Sequence, residues 1–179
     1  KVLSYLGAFG GWYLLNEMFD FFKKIKIKYP GIKFLIITQN PPEEVVKQAV
    51  KGGADANDII VKASARADVP LYLALSNWSI FFIKNGYSKI ASSPTKLGEI
   101  MAMGIPVICN DVGDAGKIIQ EGNTGLVIPE FSDREYSSVI SRLDELSSLR
   151  KEAIRDSAIK NFDLDMGVQS YSDVYCKIG

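Results

Sequence analysis

Residues 92–111, SSPTKLGEIMAMGIPVICND, hold the residue types best suited to binding a phosphate. Ser93 is a good N-cap and Pro94 suits the first position of a helix, so we expect a helix to begin there. Thr95 and Lys96 would then lie in the first turn, where unpaired backbone N–H groups and the helix dipole attract an anion. The pattern predicts a phosphate site at the start of this helix.

Glu99 follows one turn deeper in the same predicted helix. It comes three residues after Lys96 and four after Thr95, so it lies on nearly the same face. A carboxylate at that depth can accept two hydroxyl hydrogen bonds, as a ribose diol would offer. The alternative is a solvated ion pair between Lys96 and Glu99, contributing about 0.2–0.5 kcal/mol. These residues alone leave both interpretations open.

A second candidate is the glycine loop, residues 7–13, GAFGGWY. Its three glycines allow close backbone approach to a ligand, and the helix that follows offers unpaired N–H groups. The spacing G-x-x-G-G is not the dinucleotide-binding G-x-G-x-x-G fingerprint. The alternative is a tight turn from strand to helix, with Trp12 and Tyr13 as packing residues.

Composition excludes several kinds of chemistry. The chain has no histidine, which excludes Ser-His-Asp and Cys-His nucleophile machinery within it and makes a zinc site improbable. We therefore expect no metal site and no cofactor. Cys109 and Cys176 lie far apart without CxxC spacing, which indicates reduced thiols in a cytoplasmic protein.

The net charge and the hydropathy of the chain limit the kinds of partner that it can bind. Twenty-one basic and 21 acidic residues give no net charge, so no global field would attract nucleic acid or an anionic membrane. We expect no nucleic-acid partner, and any anion must be bound locally. No apolar run approaches the roughly 18 to 20 residues that a membrane-spanning helix needs, so no transmembrane segment is expected.

The elements that must position these residues follow from the apolar runs. A chain of 179 residues with 47% hydrophobic content suits one domain. Strands are predicted over residues 2–9, 32–38, 57–63, 77–84, 105–110 and 124–129. Segments of helical period separate them, so we predict an α/β fold with a doubly wound, Rossmann-like, parallel six-stranded sheet. Ligands bind such sheets at the carboxyl ends of the strands, where both candidates lie.

The helices are predicted from their apolar periods and end signals. In the first, one stripe is formed by Leu15, Met18, Phe19, Phe22 and Ile25. The prolines and acids of residues 41–44 start a second helix, Gly122 closes another, and Ser132 or Asp133 caps the helix after it. A last helix is predicted over residues 165–178.

The motifs SPTKLGEIMAMGIPVI and GNTGLVIP together resemble the C-terminal, donor-binding domain of the group 1 glycosyltransferases, retaining enzymes of the GT-B fold. The resemblance runs from YLGAFGGWY through VPLYLALSNWSIFFI to VQSYSDVY. It implies that residues 1–179 bind a nucleotide sugar as the C-terminal half of a GT-B fold, and that an N-terminal domain binds the acceptor. The chain begins without Met on an apolar run, which indicates a fragment of a longer protein.

The resemblance also implies roles for particular residues. Glu99 would bind the ribose, the amides from Ser93 to Leu97 the diphosphate, and the glycine loop the other side of the diphosphate. Residues 62–70 would cradle the base. The residues expected to contact the donor are Gly10, Gly11, Ser64, Arg66, Ser93, Thr95, Lys96, Leu97 and Glu99. No residue of this half is assigned a catalytic role.

Two departures from the family pattern bear on activity. Many members carry a second glutamate, contacting the donor sugar, at the position of Ala91, and many carry Arg and Lys in the glycine loop. A subgroup with S-x-P-T-K is similar to this sequence, which makes Lys96 a candidate for the missing charge.

The resemblance implies retaining, metal-independent sugar transfer from a UDP- or GDP-sugar in polysaccharide biosynthesis. The expected location is cytoplasmic, peripheral at the inner membrane through the missing half. Two alternatives stay open: a nucleotide-sugar epimerase or phosphorylase of the same fold, and a non-catalytic nucleotide-binding or interaction domain.

Overall fold

The computed structural model describes residues 1–90 and 94–178, with the backbone alone for residues 89 and 90. Within these residues, six parallel strands form one sheet in the order β3-β2-β1-β4-β5-β6. The strands are β1 (Val2–Leu6), β2 (Lys33–Ile37), β3 (Ile59–Lys62), β4 (Trp78–Phe81), β5 (Val107–Asn110) and β6 (Gly125–Ile128). All six lie within the predicted apolar runs, and the doubly wound α/β class is confirmed.

The central strands β1 and β4 are buried on both faces because helices cover both faces of the sheet, and each contains one buried serine, Ser4 and Ser79. Every residue of β4 is buried, including Trp78. Each strand is shorter than its apolar run. In β1 the reason is local: Gly7 has a φ of +141°, a conformation that L side chains rarely adopt, and this ends the strand at Leu6.

The helices follow the predicted alternation. They are α1 (Leu15–Lys28), α2 (Pro42–Lys51), α3 (Val69–Leu73), α4 (Tyr87–Ile90), α5 (Thr95–Ala102), α6 (Ala115–Gly122), α7 (Asp133–Ser141), α8 (Leu143–Ser147), α9 (Lys151–Phe162) and α10 (Leu164–Ile178). Short 3-10 turns cover Ala56–Asp58 and Arg66–Asp68. The predicted stripe of α1 is buried, together with Phe21.

Two helix ends test the predicted end signals. Ser132 is the N-cap of α7, and its hydroxyl accepts the Glu135 N–H at 3.3 Å, which confirms the capping pattern. As predicted, α6 ends at Gly122, but the left-handed turn after it does not use this glycine. That turn is made by Asn123 in the left-handed conformation, with a φ of 48°, because asparagine tolerates this region better than most residues.

The last helix stands apart from the core. No residue of α10 is buried, and its exposed apolar side chains are Leu164, Met166, Val168, Tyr171, Val174, Tyr175 and Ile178. Across the described residues, no helix combines the length and apolar character needed to cross a membrane.

Candidate functional site

The site lies where the chain turns at the carboxyl edge of the sheet. β1 pairs with β2 on one side and β4 on the other, so the strand order reverses there. Such a switch point opens a crevice between the loops of neighbouring strands. The glycine loop follows β1 at this point, and the β2 loop (residues 38–41) and the β3 loop (residues 63–68) follow the next two strands along the same edge.

The glycine loop is fixed at both ends and open in the middle. The Tyr5 hydroxyl donates to the Ala8 carbonyl at 2.6 Å, and the Leu14 N–H donates to the Phe82 carbonyl at 2.9 Å. Between these anchors, Gly10 and Gly11 have φ of 112° and 69°. Neither of their N–H groups donates a hydrogen bond within the described part of the chain. The loop therefore offers two backbone donors to an anion.

The start of α5 differs by one residue from the prediction. Pro94 has an extended ψ of 116° and occupies the N-cap, so the helix begins at Thr95 and Pro94 is not its first residue. Ser93, predicted as the N-cap, lies outside the described residues, as does Ala91. The Leu97 N–H already donates to the Pro94 carbonyl at 2.9 Å, and the Leu97 side chain is fully buried. Leu97 therefore serves the core and the first turn of the helix.

Lys96 reaches from α5 to the glycine loop. Its side chain is 9% exposed, and Nζ lies 3.5 Å from the centre of the Tyr13 ring and 4.8 Å from that of Tyr5. A Cβ atom added to Gly7 would overlap Nζ, so the amine lies directly against the start of the loop. Nζ has no hydrogen-bond acceptor among the described residues.

The environment of this amine disfavours its charge. Burial lowers the pKa of Lys96 to about 7, and the carboxylate of Glu99 offsets part of that effect. The two ring faces attract a cation, by roughly 0.5–2 kcal/mol, but they do not supply hydrogen bonds. An anion beside Nζ would provide the acceptor and stabilise the protonated amine.

Glu99 points to a different partner. Its Oε1 lies 3.3 Å from Nη2 of Arg66, so α5 is linked to the β3 loop. The interpretation of a solvated Lys96–Glu99 ion pair is wrong, because Lys96 is buried and Glu99 pairs with Arg66. The Arg66 side chain is 94% exposed and that of Glu99 44%, so their pair contributes at most about 1 kcal/mol and can open readily.

Ser64 has its polar groups engaged inside the protein. Its hydroxyl donates to the Ala65 carbonyl at 2.9 Å, and its own carbonyl accepts a hydrogen bond from the Gln39 side chain. The side chain is buried. Ser64 therefore shapes the β3 loop, whereas the exposed Arg66 side chain of the same loop bonds outward to Glu99.

A groove of about 550 Å³ runs along the other side of α5, against α9 and the start of α10. Thr95 and Glu99 line one wall, and Phe162 and Leu164 line the opposite one. The predicted residues of α5 thus divide between two faces: Lys96 faces the glycine loop, while Thr95 and Glu99 face the groove. Over the described ranges, no three His, Cys, Asp or Glu side chains are grouped as metal ligands.

Sequence reasoning missed two parts of the site. Tyr5 and Tyr13 form the aromatic surface under Lys96, although Tyr13 was only a packing candidate. Gln39 and Asn40 of the β2 loop bond to the two neighbouring loops. The order of the elements could have indicated these two residues. Polar residues that directly follow a central parallel strand lie at the same edge of the sheet as the glycine loop.

Comparison with known proteins identifies the family. The family model "Glycosyl transferases group 1" matches residues 1–145, which is more than half of the chain. The chain therefore belongs to the group 1 glycosyl transferases, a family of sugar-transferring enzymes. The alpha-D-kanosaminyltransferase of Streptomyces kanamyceticus is 29% identical over 84 residues, covering 45% of this chain and 22% of that protein.

Solved structures show the same fold. WaaG, a glycosyltransferase involved in lipopolysaccharide biosynthesis, matches with a TM-score of 0.73 at 19% identity, over 97% of this chain and 46% of WaaG. The pneumococcal O-GlcNAc transferase GtfA, solved with UDP and GlcNAc, matches with a TM-score of 0.72 at 16% identity, over 99% of this chain and 35% of GtfA. The chain thus spans less than half of these relatives.

Proposed function

We propose that this chain binds the nucleotide-sugar donor of a retaining, metal-independent glycosyltransferase, with the donor diphosphate between the glycine loop and the start of α5. The observation that carries the proposal is the buried Lys96 amine, which lacks an acceptor within the described residues and lies against Gly7. The N–H groups of Gly10 and Gly11, which have no acceptor in the described part of the chain, lie in the same loop. A diphosphate would satisfy all three donors together.

The reaction requires charge stabilisation on the leaving diphosphate. The bond between the anomeric carbon of the sugar and the diphosphate oxygen breaks, and a bond from that carbon to the acceptor oxygen forms on the same face. The acceptor's proton passes to the leaving phosphate, so no histidine is needed. Protonated Lys96 and the loop amides stabilise the developing negative charge, the role that preorganised donors commonly have in enzymes.

The nucleoside would lie towards the β3 loop. The Glu99 carboxylate accepts the ribose hydroxyls once Arg66 releases it, and Arg66 and the β3 loop backbone border the base. Because the Glu99 and Arg66 side chains are both exposed, replacing their ion pair by bonds to the ribose costs little free energy. UDP or GDP is the expected nucleotide of the donor, and the UDP in the GtfA structure supports a UDP-sugar.

The acceptor would be bound by a second, N-terminal domain of the same protein. This part of the proposal rests on the share of the relatives that the chain covers, 46% of WaaG and 35% of GtfA. The unburied apolar side chains of α10 offer a surface for such a domain. We propose that the protein acts in polysaccharide biosynthesis in the cytoplasm, peripheral to the inner membrane.

Calorimetric titration of the chain with UDP, GDP and ADP tests this function. Binding of UDP or GDP in preference to ADP is the expected result, and the preferred base identifies the donor class. A chain that binds none of the three contradicts the proposal and favours a non-catalytic interaction domain.

A further inference from the structure

Two adjacent side chains of the β2 loop bond to the two loops on either side of it. The Asn40 Oδ1 atom accepts a hydrogen bond from the Phe9 N–H, in the glycine loop, at 2.8 Å. The Gln39 side-chain amide donates to the Ser64 carbonyl, in the β3 loop. Since β2 lies between β1 and β3 in the sheet, its loop is placed to touch both neighbours.

The Asn40 side chain is itself held in one orientation. The hydroxyl of buried Thr38 donates to Oδ1 at 2.9 Å and accepts the Asn40 N–H at 3.2 Å. The Phe9 N–H can only donate, so the amide oxygen of Asn40 must face it. Asn40 is therefore a fixed acceptor at the flank of the glycine loop.

Such an anchor matters because of its position: other hydrogen bonds hold the loop at Gly7 and Ala8 and from Trp12 to Leu14, on either side of the two glycines. Phe9 directly precedes Gly10 and Gly11, whose positive φ values give the unpaired donors their direction. Glycines lose more backbone entropy on ordering than other residues, so a loop containing three of them needs external bonds to hold its shape. Asn40 supplies such a bond at the residue next to the donors.

We propose that Asn40 and Gln39 are positioning residues for separate halves of the donor site: Asn40 orders the loop that binds the diphosphate, and Gln39 orders the loop that borders the base. This inference rests on the proposed function. It goes beyond it by assigning roles to two residues that need not touch the donor. Each side chain acts through the loop that it bonds.

The first test needs no ligand. Amide hydrogen exchange of the free protein, followed by NMR, reports the Phe9 N–H directly. Asn40→Ala is expected to speed exchange at Phe9 about fivefold to tenfold, the size of one hydrogen bond, without changing the β1 amides. Asn40→Asp keeps the acceptor oxygen and is expected to restore slow exchange. Unchanged exchange at Phe9 in Asn40→Ala overturns the anchoring role.

The second test measures the effect of each residue on the diphosphate half and on the nucleoside half of the proposed donor site. Dissociation constants are measured by NMR titration for UDP or GDP, whichever the wild type binds, and for the matching nucleoside. Asn40→Ala is expected to weaken the diphosphate about fivefold to tenfold and leave the nucleoside unchanged, whereas Gln39→Ala weakens both by a similar factor. Asn161→Ala is the matched control, because among the described residues its side chain bonds only to the Ser157 carbonyl of its own helix, at 2.8 Å.

The outcomes are distinguishable. Equal weakening of diphosphate and nucleoside by Asn40→Ala overturns the division of roles. A wild type that binds neither UDP nor GDP contradicts the proposed function, and with it the link to a donor. In that case exchange at Phe9 still decides whether Asn40 anchors the glycine loop.

Discussion

Lys96 Nζ lies 3.5 Å from the centre of the Tyr13 ring, with no hydrogen-bond acceptor among the described residues. Lysine is rarely buried without a partner, because removing an ammonium group from water is costly. The contact joins the first turn of α5 to the glycine loop, two segments that 81 residues separate in sequence. It is the observation on which the proposed donor site chiefly rests.

Replacing this amine is expected to stabilise the chain. Lys96→Met keeps a long unbranched side chain and removes the buried polar group, so we expect the free energy of unfolding to rise by about 1 kcal/mol at neutral pH. The wild type should regain stability as pH rises from about 7 towards 10.5, because the unfolded chain keeps its proton while Lys96 loses it. Thermal denaturation at several pH values measures both effects. Lys47→Met, at an exposed lysine of α2, is the control, and a clear loss of stability in Lys96→Met alone would contradict the expectation.

Donor binding is expected to weaken with rising pH. Above about pH 7 the free amine is increasingly neutral, and an anion beside it raises its pKa, so binding takes up a proton. Affinity for a nucleotide sugar, whose diphosphate carries no proton in this range, should fall up to about tenfold per pH unit until the pKa of the bound amine is reached. Tyr5 and Tyr13 stay protonated there, since burial raises the pKa of each hydroxyl.

Lys96→Arg supplies the control for this pH dependence, because guanidinium stays protonated throughout. Its affinity should be nearly constant with pH. Calorimetry at about pH 8 in two buffers of different ionisation enthalpy should show uptake of about one proton by the wild type alone. Affinity of the wild type that does not change between about pH 6.5 and 8.5 would count against this account.

Gly7 has to remain without a side chain for two reasons. Its φ of +141° strains any L residue, and a Cβ atom would overlap Lys96 Nζ. Gly7→Ala is therefore expected to destabilise the chain by at least about 1 kcal/mol and to weaken diphosphate binding. Gly167→Ala, in the exposed α10, should instead stabilise by about 0.5–1 kcal/mol, because no atom of the described residues, apart from the helix's own backbone, lies within 4 Å of the new methyl group. Equal effects of the two substitutions on chemical denaturation would refute this reasoning.

Much of this arrangement was readable from the sequence. Continuous apolar runs located the six strands, and the Thr95 to Glu99 spacing placed Lys96 and Glu99 in one helix near the carboxyl edge. What could not be read was the direction of each side chain, since it depends on contacts with distant segments. Lys96 turns inward because Gly7 leaves room for it, and Glu99 turns to Arg66 of the β3 loop. The two therefore do not pair, although they are three residues apart.

The ribose role of Glu99 has a direct test in the donor's own hydroxyls. The wild type should bind the nucleoside diphosphate about tenfold or more tightly than its 2′,3′-dideoxy analogue, because hydrogen bonds to a carboxylate contribute about 1.5–3 kcal/mol. Glu99→Ala should lose this discrimination. Glu121→Ala, at an exposed glutamate of α6 paired with Lys117, should keep it. Discrimination that survives in Glu99→Ala would place the ribose elsewhere.

The most direct measurement compares wild type and Lys96→Met for the preferred nucleoside diphosphate and for its nucleoside, at about pH 6.5 where the wild-type amine is largely protonated. A charged hydrogen bond to the diphosphate predicts that Lys96→Met weakens the diphosphate about tenfold to a hundredfold while the nucleoside is unaffected. Equal affinity of both proteins for the diphosphate would contradict the assignment of Lys96 and of the site built around it.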